Sequence, residues 1–165
     1  MDVTTAVEKR KSIRGFIPRS VDDAQLSELL QKAARAPSGG NVQPWRIYVV
    51  NGERMDDFKN HLADFSLSES EYPIYPPKLE EPYRTNRFEL GEEMYALLGI
   101  PREDKVARLA NMSKNYDFFG APAAFFCFID RSMGAAQWSD LGMFLQTFML
   151  LAEEAGLGTC PQEAW

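Results

Sequence analysis

Two short segments carry the side chains that could do chemistry. The first, Arg10-Lys11-Ser12-Ile13-Arg14, packs cations around a hydroxyl in a chain that is acidic overall. In an extended backbone alternate residues point the same way, so Arg10, Ser12 and Arg14 converge on one side. Guanidinium forks match phosphate oxygens and carbonyl edges, and the serine adds a donor. The second segment, Pro37-Ser38-Gly39-Gly40-Asn41-Val42-Gln43-Pro44-Trp45, offers Ser38, Asn41 and Gln43 as donors and acceptors. Its paired glycines allow close backbone approach. Together the segments describe a grip on a phosphate and on a flat polar heterocycle. Taken singly, the first reads more readily as a solvated basic stretch before a helix, and the second as a turn between helix and strand.

Composition narrows the partners. A chain of 165 residues is expected to form one domain, residues 1–165, around a single core. Its net charge of -6 argues against nucleic-acid binding, which needs a basic face. Against that background Lys9, Arg10, Lys11, Arg14 and Arg19 form a local basic cluster, suited to a small anion. Cys127 and Cys160 are too few for a disulfide framework, and one histidine, His61, with scattered carboxylates gives no metal-ligand spacing. No secretory h-region opens the chain, and the apolar run from Ala121 to Ile129 is far short of the roughly 20 residues that span a bilayer. A cytoplasmic protein with no membrane partner is expected.

The elements that must position these segments follow from pattern. Ser20 is the expected N-cap of a helix whose Leu26, Leu29, Leu30 and Ala33 make a buried stripe, ended by Pro37 and Gly39-Gly40. Residues 46–50 read as a strand turned by Asn51-Gly52, and 54–62 as a short helix. Residues 66–86, rich in proline and tyrosine, read as an extended excursion. Helical patterns resume over 88–98 and 102–113. The apolar run to Ile129 suits a central strand buried on both faces. Ser139 is the expected cap of a last helix lined by Leu141, Phe144, Leu145, Phe148 and Leu151, with Trp138 in the core and Gly156 as the stop. Two clear strands make a poor sheet, so further strands are expected from a partner chain or from a longer polypeptide.

The two chemical segments, in this order and at this spacing, resemble the nitroreductase family of flavin enzymes. That family has Arg-x-Ser-x-Arg, then a helix ending in Ala-Pro-Ser-x-x-Asn-x-Gln-Pro-Trp. The resemblance continues at Phe119-Gly120-Ala121-Pro122 and at Gly156-Leu157-Gly158-Thr159-Cys160-Pro161-Gln162-Glu163. The stretch through Glu81-Pro82-Tyr83-Arg84 is similar to the nitrobenzoate-reductase branch. Family members continue past this point into another strand, a turn and a tail that embraces the partner, so a C-terminally short member is expected.

The resemblance implies an α+β nitroreductase-like fold, with a central mixed sheet flanked by helices in an entwined homodimer that holds FMN without a covalent bond. By position, Arg10 and Ser12, with Lys11 beside them, would meet the phosphate, and Arg14 the polar edge of the isoalloxazine. Pro37, Ser38, Asn41 and Gln43 would reach the flavin of the neighbouring subunit. Pro161, Gln162 and Glu163 would run past the ring, and Asn115 would touch its pyrimidine edge. The implied activity passes electrons from NADH or NADPH to a small aromatic acceptor, nitroaromatic or quinone-like, by a ping-pong mechanism. No side chain is assigned as a general acid. Two alternatives stay open: a flavin-binding or sensing protein without turnover, and the same fold turned to reductive dehalogenation or flavin breakdown.

Overall fold

A computed structural model of the chain describes residues 1–64 and 72–164. The chain forms two compact units, one of Met1–Ala63 with Phe119–Pro161, the other of Asp64–Phe118 with Gln162–Trp165.

The first unit opens with α1 (Val3–Lys9), capped by Asp2, whose carboxylate accepts from the Thr5 N–H at 2.8 Å. This helix escapes sequence pattern because it buries one residue, Ala6, and so shows no stripe. The next helix, α2 (Asp23–Ala33), buries Leu26, Leu29 and Ala33 as the spacing predicts. Its cap is Asp22 and not Ser20. The Asp22 carboxylate accepts from the Ala24 N–H at 3.2 Å, and a negative charge at the positive helix end outcompetes a hydroxyl two residues upstream.

Strand β1 (Arg46–Asn51) and strand β2 (Ala123–Phe128) pair antiparallel, with Ile47 opposite Cys127 and Tyr48 opposite Phe126. Between them in sequence, α3 (Glu53–Ala63) follows the Asn51-Gly52 turn and sets Phe58 against Phe126, ring centroids 5.4 Å apart. The expectation of a strand buried on both faces is corrected: β2 is half-buried and its Phe128 is exposed. It has one ladder neighbour among the described residues, so Phe125 and Cys127 pack on the core while Phe126 and Phe128 turn to the other face. A parallel bridge between Ser12 and Thr159 adds the other strand orientation.

Helix α6 (Ala135–Glu154) is the spine of this unit, with Leu141, Phe144, Phe148 and Ala152 buried against Leu29, Ala33 and Ala36. It starts a turn earlier than Ser139, at cap residue Gly134, whose N–H donates to Gln137 Oε1 at 3.0 Å. Ala135, Ala136 and Gln137 are good helix formers, so nothing delays the helix to the serine. Trp138, expected in the core, is exposed. The helix ends as predicted at Gly156, with φ 75°. There the Gly156 N–H bonds the Glu153 carbonyl and the Leu157 N–H the Ala152 carbonyl, which satisfies two carbonyls the helix would otherwise orphan.

The second unit holds α4 (Tyr83–Leu97) and α5 (Lys105–Ser113), and neither helix contains a buried residue. Helix α4 begins five residues before the expected 88, directly after Pro82, because the Glu81 carboxylate accepts from the Thr85 N–H at 3.2 Å. Helix α5 begins at Lys105 and not 102, capped by Asp104, which accepts from the Ala107 N–H at 2.9 Å. The expected excursion lies partly outside the described residues; its described portion, 72–82, has no helix or strand. No helix among the described residues is long and apolar enough to cross a membrane.

Candidate functional site

The cationic segment starts where α1 stops. Arg10 is the C-cap, its backbone already extended at φ -55° and ψ 126°. From there the chain runs beside residues 158–160. Ser12 bridges Thr159, and the Ile13 N–H donates to the Thr159 carbonyl at 2.9 Å. Three residues further on, the Phe16 N–H donates to the Phe119 carbonyl at 3.3 Å. The close approach needs glycine opposite Ile13, since a Cβ on Gly158 would sit 2.9 Å from Ile13 Cγ1.

This backbone anchoring leaves the side chains unspent. Arg10 and Ser12 are half-buried, and Lys11 and Arg14 are exposed. Among the described residues none of the four makes a side-chain hydrogen bond or ion pair. Arg14 also reaches the 158–161 segment electrostatically. Burial pushes the Cys160 thiol up, and the Arg14 guanidinium pulls partly against it. The structure therefore brings Ser12 to Thr159 and Arg14 near Cys160, one residue from Pro161, with Arg10 and Lys11 on the same segment. Such a set can bind an oxyanion and fix a guanidinium next to it.

The 37–45 loop is a tight turn with backbone strain. Gly40, Asn41 and Gln43 lie in the left-handed region at φ 58°, 57° and 49°. The non-glycine members cost on the order of 1–3 kcal/mol each, which the surroundings must offset. Ser38 Oγ accepts from the Gln43 N–H at 3.0 Å, and Asn41 Oδ1 accepts from Gln43 Nε2 at 3.1 Å. These bonds orient the amides, leaving the Asn41 NH2 as a donor and Gln43 Oε1 as an acceptor. A donor and an acceptor of this kind complement the N–H and C=O groups on the edge of a polar heterocycle. Both side chains are exposed, as is Pro37. No hydrogen bond or ion pair joins this loop to the 10–14 segment among the described residues.

The loop's footing comes from α6. The Gly39 N–H donates to both carboxylate oxygens of Asp140, at 3.3 and 3.2 Å. At the other end Pro44 is buried and Trp45 stacks on Phe144 with centroids 5.1 Å apart. Sequence reading missed Asp140. The available signal was a lone carboxylate four residues before Phe144, on the stripe continued by Phe148 and Ala152.

Other expected site residues are placed differently. Asn115, Gln162 and Glu163 belong to the second unit, while Pro161 ends the first. Asn115 Nδ2 donates to the Met112 carbonyl at 2.7 Å, so its donor side caps its own helix end. Burial pushes the Cys127 thiol up to about 12, in keeping with a packing role. A wide groove of about 680 Å³ on the first unit is lined by Arg46, Tyr48, Phe128, Ile129, Asp130 and Arg131. It contains none of the expected site residues.

Comparison with known proteins bears on the whole constellation. A Pseudomonas putida protein named 4-nitrobenzoate reductase is 36% identical over 163 residues, spanning 98% of this chain and 72% of that protein. The crystal structure of the FMN and NADPH-dependent nitroreductase NfnB from Sphigopyxis sp. strain HMH matches with a TM-score of 0.94 at 44% identity. That match covers 100% of this chain and 76% of the other. The FMN-dependent nitroreductase NfnB from Mycobacterium smegmatis, solved in complex with NADPH, matches with a TM-score of 0.87 at 26% identity, covering 99% and 77%. The α+β nitroreductase-like fold expected from the motifs is the fold observed. The sequence model of the nitroreductase family matches residues 7–165, and the chain belongs to that family.

Proposed function

We propose that this chain is an FMN-dependent oxidoreductase that takes electrons from NADH or NADPH and passes them to a nitroaromatic or quinone-like acceptor. One observation carries the reading. In a chain of net charge -6, the cations of 10–14 are held by backbone bonds against 158–160 without a carboxylate partner among the described residues. Side chains kept unpaired beside abundant acid are available to a ligand anion, and the donor set fits a phosphate with a polar ring beside it. Bound FMN supplies the hydride and electron chemistry.

The chain's own residues bind and orient. Arg10, Lys11 and Ser12 hold the phosphate by charge-assisted bonds, and Arg14 fixes a positive charge at the polar edge of the ring. Pro37, Ser38, Asn41 and Gln43 offer their donor and acceptor pair to the ring held by a second copy. Pro161, Gln162 and Glu163 line the ring, and Asn115 meets its edge through Oδ1. A homodimer is supported by the unburied helices α4 and α5, whose apolar side chains need cover. Donor and acceptor use one slot in turn, which gives ping-pong kinetics.

The assignment of the phosphate grip is tested by Arg10→Ala and Ser12→Ala. Each should weaken FMN binding by about 1.5–3 kcal/mol, the range for a hydrogen bond to a charged group. Flavin retention equal to wild type after extensive dialysis would refute it.

A further inference from the structure

Asp140 is a buried acidic side chain that the proposed chemistry does not use. It is 5% exposed, on a helix face otherwise made of Phe144, Phe148 and Ala152. Burying a carboxylate is costly unless it is hydrogen-bonded, so its place in that stripe needs a reason. Its oxygens take the Gly39 N–H, while one helical turn further on Phe144 stacks on Trp45. Residues four apart share a helix face. Helix α6 therefore mounts the loop at both ends, by charge at Gly39 and by stacking at Trp45.

Between those mounts the turn is self-contained. The Asn41 N–H bonds the Ser38 carbonyl, the Val42 N–H the Gly39 carbonyl, and Gln43 bonds Ser38 and Asn41. Among the described residues the hydrogen bond that ties residues 38–43 to the rest of the unit is the one to Asp140. An N–H bond to a carboxylate is roughly twice as strong as a neutral one. A turn with three left-handed residues persists only where its surroundings over-determine it.

We propose that Asp140 is a positioning residue, whose carboxylate holds the 38–43 turn in the strained form that presents Ser38, Asn41 and Gln43 to the ligand. This rests on the reading that those residues face FMN. An asparagine keeps one acceptor oxygen and so part of the hold, whereas an alanine keeps none.

The test pairs hydrogen exchange on the flavin-free protein with fluorescence titration of FMN. It uses wild type, Asp140→Asn, Asp140→Ala and the core control Phe148→Leu. In Asp140→Ala the amides of 39–43 should exchange about tenfold faster while those of 144–152 hold, and the Kd for FMN should rise about tenfold. Asp140→Asn should fall between, and Phe148→Leu should lower Tm while leaving loop exchange and Kd alone. Unchanged loop exchange in Asp140→Ala overturns the tether. Faster exchange with wild-type affinity overturns the positioning role, as does Phe148→Leu losing as much affinity at equal loss of Tm. If Asp140→Ala does not fold, Asp140→Asn against wild type decides by the same criteria. A wild-type chain that takes up no FMN refutes the functional reading and the ligand-facing role with it, while loop exchange still decides the tether.

Discussion

The two compact units treat apolar surface in opposite ways. In the first, α6 lays Phe144, Phe148 and Ala152 against Leu29, Ala33 and Ala36, and all six are buried. In the second, Leu97 of α4 is 83% exposed and Val106 of α5 is 79% exposed. Polar contacts stitch the second unit instead. Arg108 pairs with Glu92 at 2.8 Å and lies 4.1 Å over the Tyr95 ring, and Arg87 lies 4.1 Å over Tyr75. Half-buried and exposed polar contacts of this kind contribute less than the burial of a large apolar side chain, which is worth about 1.5–3 kcal/mol. The first unit thus carries its own core and can hold a strained loop in place. The second leaves apolar side chains such as Leu97, Val106 and Leu109 exposed.

The largest expected effect lies where the core is densest. Phe144→Ala removes the stack beneath Trp45 and should cost about 3–5 kcal/mol in urea unfolding. Leu97→Ala should change stability by no more than about 0.5 kcal/mol at concentrations where the chain is monomeric. Equal losses at the two positions would erase the contrast between the units.

A smaller effect sharpens it. If a second copy covers the second unit, replacing Leu97, Val106 and Leu109 together by serine should weaken self-association at least about tenfold, the equivalent of about 1.4 kcal/mol. Sedimentation equilibrium reads this directly. An unchanged association constant would mean that these side chains stay in water and that the cover lies elsewhere.

Legibility in the sequence follows the same division. The stripe of α2, the strand 46–50 and the Gly156 stop were plain because each is a repeated or stereochemically demanded pattern. The alternation of Arg10, Ser12 and Arg14 likewise anticipated the extended backbone that bridges Thr159. Caps were harder, since Ser20 and Ser139 are sound N-cap residues by type, and the competing Asp22 carboxylate and the helix formers before Ser139 decide against them. The start of α4 was hidden because a proline that forbids a helix interior can stand immediately before a helix. Asp140 was invisible for a different reason: its partner Gly39 is distant in sequence, and a lone acidic residue on a helix is usually solvated. Long-range tethers of this kind leave no local signature.

The smallest effect concerns pH and the second unit. Hydrogen bonding to Arg108 holds the Glu92 carboxyl below its ordinary value of 4.5. The pair therefore contributes stability at neutral pH that fades as pH falls below 4.5 and is gone once pH passes the lower folded value. Replacing Arg108 with methionine should remove that component, so melting curves recorded from pH 6 down to about pH 3 should show a shallower acid loss than wild type. Parallel curves would assign the acid sensitivity to other carboxylates.

Electron transfer through the flavin is tested by an anaerobic titration of the FMN-loaded protein with NADPH, followed at the long-wavelength flavin absorbance. The yellow colour should bleach in proportion to the NADPH added, and adding a nitrobenzoate under the same conditions should restore it. A chain that takes up no FMN, or whose flavin stays oxidised in excess NADPH and NADH alike, would contradict it.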